Sequence, residues 1–408
     1  MTSATPRAAR APATWTKIGF DDGQLLQLLF NALLIRHRQE PPVKNFRWAV
    51  NRLHDLRRLE RGRRKYGGSW VAHLARFVAL TRARQFSPDE IFLLGLTDPA
   101  VCDAEIDRYV SKETMLARQL ALNPREHHRL TEDKLVFHAH CQQHGLPTPA
   151  VLAAWGAGCS GDDAVAVART DGEWLDICAR LVADDLVLKP VAGVHGEGVV
   201  LLKRCGEVFV DHSGNTVDAR DLLATMRASD YRDWILQQRL YAHPDMVAFT
   251  GSDKLQTARV VTWIDDDGSA RVAFAWLRVI RDAQAFDNFN FGVSGNFVAT
   301  VDLADGTLQY ALAGAADGLG LVEVERHPAS GRAFRGFAVP HAREMFRLAL
   351  RAAECFRPLR TIGWDLAIAR SGVALIEGNV TWDPLPTRAS LVSCLQSPQR
   401  SAPRHEHV

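Results

Sequence analysis

Residues 363–379, GWDLAIARSGVALIEGN, constrain the fold most strongly because they have the pattern of a single β-hairpin. Two apolar runs, 364–369 and 373–376, flank Arg370-Ser371-Gly372, a segment that suits a three-residue loop with glycine in the left-handed position. The predicted register pairs Ala369 with Val373, Ala367 with Leu375, and Asp365 with Glu377. The hairpin therefore has its loop at one end and two opposed acids, Asp365 and Glu377, at the other.

The open end of this hairpin is predicted to hold a metal ion. Directly opposed side chains in a sheet lie about 4.5–5.5 Å apart at Cβ, and like charges at that distance destabilise the pair unless something neutralises them. Asn379 lies two residues beyond Glu377, so the pleat returns its amide to the face that carries Asp365. Two carboxylates and an amide oxygen suit Mg²⁺, which completes its coordination with water and phosphate oxygens. The alternative is an edge hairpin with exposed acids, but the apolar neighbours of both acids favour the metal site.

The composition is that of an ordinary globular protein and argues against several classes. Among 408 residues, 24% are charged and 47% are hydrophobic, which is enough for two or three structural units around a sizeable core. The formal charge of +2 gives no argument for a specific nucleic acid partner. No stretch approaches the roughly 18 uninterrupted apolar residues of a transmembrane helix. Seven cysteines without a C-x-x-C pair predict a reducing, cytoplasmic location rather than a disulfide framework.

The N-terminal third is predicted to be mainly helical. Residues 1–14 are interpreted as a disordered tail and residues 15–130 as the helical region. Apolar residues recur at helical spacing from Gln24 to about Leu59, with a break at Pro41-Pro42. Ser87-Pro88-Asp89-Glu90 is a strong helix start, because a serine cap precedes proline and two acids. This region shows no catalytic pattern.

The segment from Arg52 to Lys65 is strongly basic, with seven basic residues against two acids. Such a run can contact an anionic polymer or a membrane surface. The alternative, a solvated helix face, is favoured because no aromatic residues are interleaved for base stacking.

A second domain, residues 131–394, is predicted to begin where Thr131-Glu132-Asp133-Lys134 opens a helix, and residues 395–408 to form a disordered tail. Within this domain, residues 185–204 place Lys189 on an apolar strand before a glycine-rich turn and a second strand. Backbone N–H groups in a turn with so little Cβ bulk can close on phosphate oxygens, and Lys189 adds a positive charge. No helix follows, so the segment is neither a Walker loop nor a Rossmann turn. A plain tight turn is the alternative.

Antiparallel meanders follow and carry isolated polar residues. Their strands are predicted at residues 256–264, 270–280, 296–303 and 307–312. Arg259 lies among apolar residues of the first of these strands, so it needs a partner or an anionic ligand. A polar loop at 287–295 precedes the third strand, and Pro340 to Phe356 predicts an amphipathic helix.

Four separated features resemble the ATP-grasp superfamily of carboxylate-amine ligases. They are Asp133-Lys134 at a helix start, Lys189-Pro190 with its glycine loop, Arg259 in a strand, and Asp365 with Glu377-Gly378-Asn379. The segments QTARVVTW, DN…G at 287–295 and IGWDLAIARSGVALIEGN are similar, more closely, to the sugar-transfer-associated branch, which is related to α-L-glutamate ligases. The resemblance covers roughly residues 85–394.

The resemblance implies an α+β fold, in which two subdomains grip a nucleotide after a mainly helical N-terminal region. Residues 185–240 would supply the lid and the nucleotide-binding part, and residues 245–394 the metal-binding core. The implied cofactors are ATP and Mg²⁺, with the metal on Asp365, Glu377 and Asn379. The implied catalytic residues are Lys189 and Arg259. The implied nucleotide contacts are Lys134, Lys189, Gly193, Gly196, Gly198, Gln237, Gln238, Arg239 and Leu240.

Three functions are consistent with this pattern. An ATP-dependent ligase would join a small-molecule carboxylate to an amine through an acyl phosphate, and the branch's name suggests an amino acid attached to a sugar or polysaccharide precursor. An ATP-dependent kinase would use the same metal site but release no free phosphate. A non-catalytic nucleotide-binding scaffold is the third, although intact Lys189, Asp365, Glu377 and Asn379 argue against it. The substrate pocket is expected to involve Arg278, Arg281, Asp287, Asn288 and Asn290.

Overall fold

The computed structural model describes residues 42–159, 165–193, 196–282 and 286–384, with side chains from residue 54 onwards. The chain divides into two units, residues 1–79 with 97–99 and residues 80–96 with 100–408. The helix predicted before Pro41, both predicted tails and the Arg52 side chain lie outside what is described. In the described part of the chain, none of the helices has both the length and the apolar sequence needed to cross a membrane.

From residue 42 to the first sheet the described chain is mainly helical, as predicted. It comprises α1 (Pro42–Tyr66), α2 (Trp70–Ala83), α3 (Pro88–Leu93), α4 (Asp103–Ile106), α5 (Lys112–Leu122), a 3₁₀ turn (Arg125–His127), α6 (Arg129–Glu132) and α7 (Lys134–Gln143). The predicted cap of α3 is confirmed, since the Ser87 hydroxyl accepts a hydrogen bond from the Glu90 N–H and the Glu90 carboxylate accepts one from the Ser87 N–H.

The helix predicted to open at residues 131–134 begins at Lys134, as the Asp133-Lys134 motif indicated, and the residues before Asp133 belong to the separate helix α6. Asp133 separates α6 from α7 in an extended backbone conformation, and its carboxylate accepts hydrogen bonds from the N–H groups of Leu135 and Val136. An N-cap residue needs non-helical dihedrals, so the chain breaks there and restarts at Lys134.

The first sheet has seven strands in the order β2-β1-β7-β3-β4-β5-β6. They are β1 (Val151–Trp155), β2 (Ala166–Ala168), β3 (Asp185–Pro190), β4 (Val200–Cys205), β5 (Val208–Asp211), β6 (Thr216–Val217) and β7 (Trp234–Gln238). Two helices, α8 (Asp171–Arg180) and α9 (Ala219–Ala228), pack on this sheet around the buried Trp174, Leu223 and Trp234.

The second sheet also has seven strands, in the order β12-β11-β10-β9-β8-β13-β14. They are β8 (Thr257–Ile264), β9 (Ala270–Val279), β10 (Phe297–Val301), β11 (Leu308–Gly314), β12 (Leu321–Val324), β13 (Thr361–Ala369) and β14 (Gly372–Asn379). All of their pairings are antiparallel, as the meander pattern predicted.

One face of the second sheet is covered by helices α10 (Pro244–Thr250) and α11 (Ala342–Cys355). The predicted amphipathic helix is confirmed, because its apolar residues are fully buried against the sheet: Met345, Ala349, Ala352 and the following Phe356. Trp364 and Leu366 of β13 belong to the same core. Residues of β13 that alternate with these two therefore point to the opposite face, where the polar side chains lie.

The β13–β14 hairpin differs from the predicted register at its closed end. Gly372 pairs with Ala369, so the loop is the two-residue Arg370-Ser371, and the predicted pairs of Ala369 with Val373 and of Ala367 with Leu375 are wrong. Gly372 itself, at φ +114°, takes the first strand position rather than the last loop position. An irregularity beside Asp365 then skips Ile376, so that Asp365 faces Glu377 as predicted.

This β-bulge has a consequence for side-chain direction. Leu375 pairs with Leu366 and belongs to the core, whereas Glu377, two residues later, pairs with Asp365. A bulge inserts one extra residue and reverses the alternation beyond it. Glu377 therefore turns away from the core face and onto the face that carries Asp365.

Candidate active site

Four adjacent strands bring charged side chains to one face of the second sheet. Arg259 of β8 lies opposite Asp365 of β13, which lies opposite Glu377 of β14. In β9, Trp276 pairs with Arg259, and Arg278 lies two residues after Trp276. Since residues two apart share a face, two arginines and two acids lie side by side.

Asp365 accepts four hydrogen bonds from the two arginines. Arg259 donates from Nε to Oδ1 at 2.5 Å and from Nη2 to Oδ2 at 3.1 Å. Arg278 donates from Nη1 to Oδ2 and from Nη2 to Oδ1, both at 3.1 Å. The Asp365 side chain is only 5% exposed. Because a carboxylate offers about four lone-pair sites, those of Asp365 are filled.

Burial and charge act in opposite directions on this cluster. Removal from water works to raise the pKa of Asp365, but the neighbouring Arg259 and Arg278 outweigh it and hold that pKa below its ordinary value. For Arg278, burial works to lower the pKa, but Asp365 and Asp287 raise it overall. Asp365 and Arg278 are therefore both charged at neutral pH.

A second acid steadies Arg278 from the other side. The Arg278 Nη1 group also donates to the Thr257 hydroxyl at 3.3 Å. Asp287 Oδ2 accepts hydrogen bonds from the backbone N–H and the hydroxyl of Thr257, each at 2.6 Å. Burial raises the pKa of Asp287, against the opposing effect of Arg278. Sequence reasoning missed Thr257, although its spacing of two residues from Arg259 placed it on the same face.

Two lysines lie near Glu377. Lys189 of β3 is 7% exposed. Its burial and the adjacent Lys134 lower its pKa to about 8, while Glu377 opposes that shift. The Lys134 ammonium donates to the backbone carbonyl of Gly193 at 2.7 Å, and burial lowers its pKa as well. The site therefore joins cations attached to the first sheet with an acid of the second.

The glycine-rich turn lies between the two sheets. Gly196 and Gly198 have φ values of +76° and +72°, a region that side chains disfavour. A Cβ at Gly198 would lie 3.1 Å from both Pro190 Cγ and Trp234 Cη2, and one at Gly196 would lie 3.5 Å from Asn288 Nδ2. The turn thus packs on the first sheet and faces the polar loop of the second, while Gly193 begins it as the acceptor of Lys134.

The polar loop at 287–295 is organised by a residue that sequence reasoning did not single out. Asn296 is buried, and its amide donates to the carbonyls of Phe286 and Asn288 at 2.9 and 3.0 Å and accepts from the Arg281 N–H at 3.2 Å. Of the residues expected in the substrate pocket, Arg278 and Asp287 adjoin Asp365 and Asn288 adjoins the glycine turn. The other two, Arg281 and Asn290, are exposed.

The expected adenine contacts lie at the end of β7. The Gln237 side chain is buried and donates to the Pro149 carbonyl at 2.9 Å, so it is engaged within the first sheet. Gln238 is exposed, and the Arg239 guanidinium lies 4.9 Å from the centre of the Tyr241 ring. Leu240 follows the strand.

Asn379 completes the expected metal set. It pairs in register with Gly363, and its amide donates to the Gly363 carbonyl at 3.2 Å and to Glu377 Oε1 at 3.4 Å. A Cβ at Gly363 would lie 2.8 Å from Trp382 Cβ and 3.2 Å from Arg259 Cδ, so a larger residue would displace one of them.

The donor set suits Mg²⁺ in its chemistry. In the described parts of the chain, no group of three or more His, Cys, Asp or Glu side chains is arranged to hold a metal. The expected set has two carboxylates and one amide, which are the hard oxygen donors that Mg²⁺ accepts. The oxygens of Asp365, however, already carry arginine N–H groups.

Comparison with known proteins decides the family. The sequence matches the family model of sugar-transfer associated ATP-grasp proteins over residues 116–396. The chain belongs to this family. The match begins within α5 and includes both sheets, so it contains every expected site residue of this ATP-grasp protein. No curated protein matches the sequence at a significant level.

Several solved structures are similar to this ATP-grasp chain. An N5-carboxyaminoimidazole synthase from Aspergillus clavatus, solved with ADP and 5-aminoimidazole ribonucleotide, is 12% identical, with a TM-score of 0.38 over 71% of this chain and 59% of its own. An L-amino acid ligase from Bacillus licheniformis is 11% identical, with a TM-score of 0.33 over 62% and 41%. The ATP-grasp ligase PsnB, solved with its minimal precursor, is 17% identical, with a TM-score of 0.34 over 67% and 62%. The chain therefore spans less than two thirds of each of these proteins.

Proposed function

We propose that this ATP-grasp protein is an ATP-dependent carboxylate-amine ligase. The observation that carries the proposal is the meeting of Lys134 and Lys189 with Glu377, directly beside Asp365 and its arginines. Fixed cations next to two acids suit the terminal phosphates of a nucleotide with its counter-ion. Family membership supports ATP as the co-substrate.

Asp365, Glu377 and Asn379 would hold Mg²⁺. When bound there, the ion would withdraw charge from the phosphate oxygens and orient them. Lys189 would pair with the phosphates, and Arg259 would steady the transferred phosphoryl group. The backbone of the glycine turn would cover the phosphates, and the strand end at 237–240 would hold the adenine.

The reaction would proceed in two displacements. An oxygen of the substrate carboxylate would attack the γ-phosphorus, which releases ADP and gives an acyl phosphate. The amine would then attack the acyl carbon, which forms the amide and releases inorganic phosphate and a proton. Exclusion of water by the glycine turn would protect the acyl phosphate. The sugar-transfer association of the family favours an amino acid joined to a sugar or polysaccharide precursor.

An ADP-release screen of amino acids paired with amino sugars tests this proposal, with Glu377→Ala as the blank. Release of ADP and inorganic phosphate only when both substrates are present supports the ligase. Release of ADP without inorganic phosphate would assign a kinase instead. Equal ADP release by the wild-type protein and the variant under every substrate pair would reject both activities at this site.

The basic helix α1 is assigned no partner in this proposal. Arg63 and Arg64 donate to Glu60 at 2.9 and 2.7 Å, so part of the positive charge is neutralised within the helix. Heparin binding that weakens steeply with salt, and is lost on replacing Arg57 and Arg61 with Gln, would assign a polyanion contact to this face.

A further inference from the structure

Asp365 has no free lone pair for a metal ion while Arg259 and Arg278 both hold it. We propose that Arg278 is a place-holding cation: it occupies Asp365 in the metal-free protein, and metal binding releases it to bind the anionic group of the substrate. This inference rests on the proposed function, because it concerns the same metal site. It assigns Arg278 a role in both metal loading and substrate recognition.

The geometry distinguishes Arg278 from Arg259. Arg259 lies directly opposite Asp365 on the neighbouring strand, donates at 2.5 Å, and has its stem confined beside Gly363. Arg278 reaches across β8 from one strand further away, about 9–10 Å at the sheet spacing, and donates twice at 3.1 Å, the length of the Arg259 Nη2 bond. Of the two guanidinium groups, Arg278 is therefore the longer-reaching partner.

Arg278 also has a second anchor. Its Nη1 group bonds the Thr257 hydroxyl, which in turn donates to Asp287. These contacts do not involve Asp365, so they persist when Asp365 turns to a metal. They hold the guanidinium at the edge of the site and keep it charged, beside the loop that contains Asn288.

Electrostatic repulsion between the metal ion and Arg278 couples metal binding to substrate binding. A divalent ion at Asp365 repels a guanidinium within a few ångströms and replaces it as the counter-charge. The released Arg278 is 14% exposed and has lost its strongest anionic partner. Because only Asp287 and Glu377 then remain as nearby anions, a further counter-charge is favourable, and an incoming carboxylate gains a bidentate site that the metal-free protein lacks. Metal and carboxylate should therefore bind with positive cooperativity.

The first test uses Mn²⁺ as a probe, with free Mn²⁺ followed by electron paramagnetic resonance. Arg278→Lys keeps the charge but cannot form the two-bond fork, so it should bind Mn²⁺ about tenfold more tightly than wild type. Arg271→Lys, which alters an arginine paired with Asp265 at the surface, is the matched control and should match wild type. Glu377→Gln should weaken binding.

Two outcomes overturn the inference. If Arg278→Lys binds Mn²⁺ no more tightly than wild type while Glu377→Gln weakens it, the metal site stands and Arg278 is not a place-holder. If wild type and Glu377→Gln bind Mn²⁺ equally, the metal site of the proposed function fails, and the inference fails with it.

The second test follows [¹³C]acetate by nuclear magnetic resonance line width, with and without Mg²⁺. The wild-type protein should gain acetate binding severalfold when Mg²⁺ is added, and Arg278→Met should gain none. Arg278→Lys should bind acetate without Mg²⁺, because its ammonium is not held by the fork. An equal gain in Arg278→Met would place acetate on the metal itself and reject the released arginine.

Discussion

At the scale of single residues, the charge state of each group at this site depends on the charged partners that contact it once it is buried. Asp365 keeps two guanidinium partners and stays ionised despite its burial. Lys189 is buried beside another cation, and only Glu377 opposes the loss of its proton. Asp365 therefore already has cationic hydrogen-bond donors, whereas the Lys189 ammonium can bind an anion such as phosphate.

Nucleotide affinity should fall as the pH rises through about 8, which is the pKa to which burial and Lys134 lower Lys189. This pKa lies below that of a free lysine, so the ammonium is mostly charged at neutral pH and mostly neutral about one unit above its pKa. Titration of a fluorescent ATP analogue across this range measures the effect. Lys189→Arg should flatten the profile, because guanidinium stays charged; an unchanged profile would assign the pH dependence elsewhere.

Asp365→Asn should lower the free energy of unfolding by about 3 kcal/mol, because it removes the carboxylate charge to which two buried guanidinium groups donate. Urea denaturation measures this. Asp383→Asn is the control, since Asp383 pairs with Lys112 at 2.7 Å but is 41% exposed, and it should cost less than about 1 kcal/mol. Similar losses in the two variants would contradict the assignment of a buried charge cluster.

At the scale of elements, the β13–β14 hairpin shows how a local error in register can leave the predicted opposition of two acids intact. Alternation of apolar residues predicted both strands and the opposition of Asp365 to Glu377. It did not predict the two-residue loop or the bulge at Ile376. The shorter loop shifts the register by one residue, and the bulge shifts it back before Asp365 and Glu377 are reached. The bulge allows Leu375 to be buried against the α11 core while Glu377 points to the opposite face.

Gly363→Ala should destabilise the protein by about 1–3 kcal/mol, because its Cβ would lie 2.8 Å from Trp382 Cβ and 3.2 Å from Arg259 Cδ. Gly172→Ala is the matched control. Gly172 is exposed in the first turn of α8 with no atom within 4 Å of an added Cβ, so alanine should be neutral or slightly stabilising there. Chemical denaturation measures both, and equal effects would contradict the close approach at Gly363.

Helix α5 is tied to the β13–β14 hairpin through Asn123, which directly follows the helix. The Asn123 amide donates to the carbonyls of Thr361 and Val380 at 2.8 and 3.1 Å, and its oxygen accepts from the Arg360 and Thr361 N–H groups at 2.9 and 3.1 Å. These four bonds lie at the start of β13 and just beyond β14, so α5 supports both ends of the chain segment that carries Asp365 and Glu377.

Asn123→Ala should cost about 3 kcal/mol of unfolding free energy, because it removes the partners of the buried backbone groups of Thr361 and Val380 and of the partly buried Arg360 N–H. Asn123→Asp separates the contributions, since it keeps the acceptor but loses both donated bonds. It should cost at least as much as alanine in a urea titration at neutral pH, because one buried carboxylate oxygen would face the Thr361 and Val380 carbonyls. A loss below about 0.5 kcal/mol for alanine would show that water replaces these contacts.

At the scale of the whole molecule, backbone hydrogen bonds join the β13–β14 hairpin to the segment that leads into β1 and to the segment that follows β7. The Leu375 N–H donates to Pro147, the Arg370 N–H to Tyr241, and the His243 N–H to Ile368. A ring contact of 5.8 Å between His212 and Phe286 connects the β5–β6 turn to the polar loop. Side chains from both sheets therefore converge on the space around Glu377.

A saturating Mg²⁺ complex of a non-hydrolysable ATP analogue should stabilise the protein by about 2.7 kcal/mol at a hundredfold excess over Kd. Thermal unfolding measures the shift in Tm. Lys189→Met alters the first sheet and Glu377→Gln the second, and each should remove most of the shift if the nucleotide bridges them. A full shift in either variant would place the nucleotide on one sheet alone.

The resemblance to a known family implied the α+β class, and the sequence pattern by itself determined the helical start, the antiparallel meander, the amphipathic α11 and the opposition of Asp365 to Glu377. These features of the pattern follow from local periodicity and turn chemistry, which depend on residues that are close together in the chain. It did not predict β1, whose VLAAW is short and rich in alanine, nor the break at Asp133.

Only the tertiary structure decided which partners the charged side chains take. Arg278 is 87 residues from Asp365, and Asn123 is 238 residues from Thr361, so no local pattern pairs them. Their meeting depends on the order of strands within the sheet and on the burial that makes an unpaired charge costly. That burial also lowers the pKa of Lys189 and fills the oxygens of Asp365, which sequence spacing alone had left open for a metal.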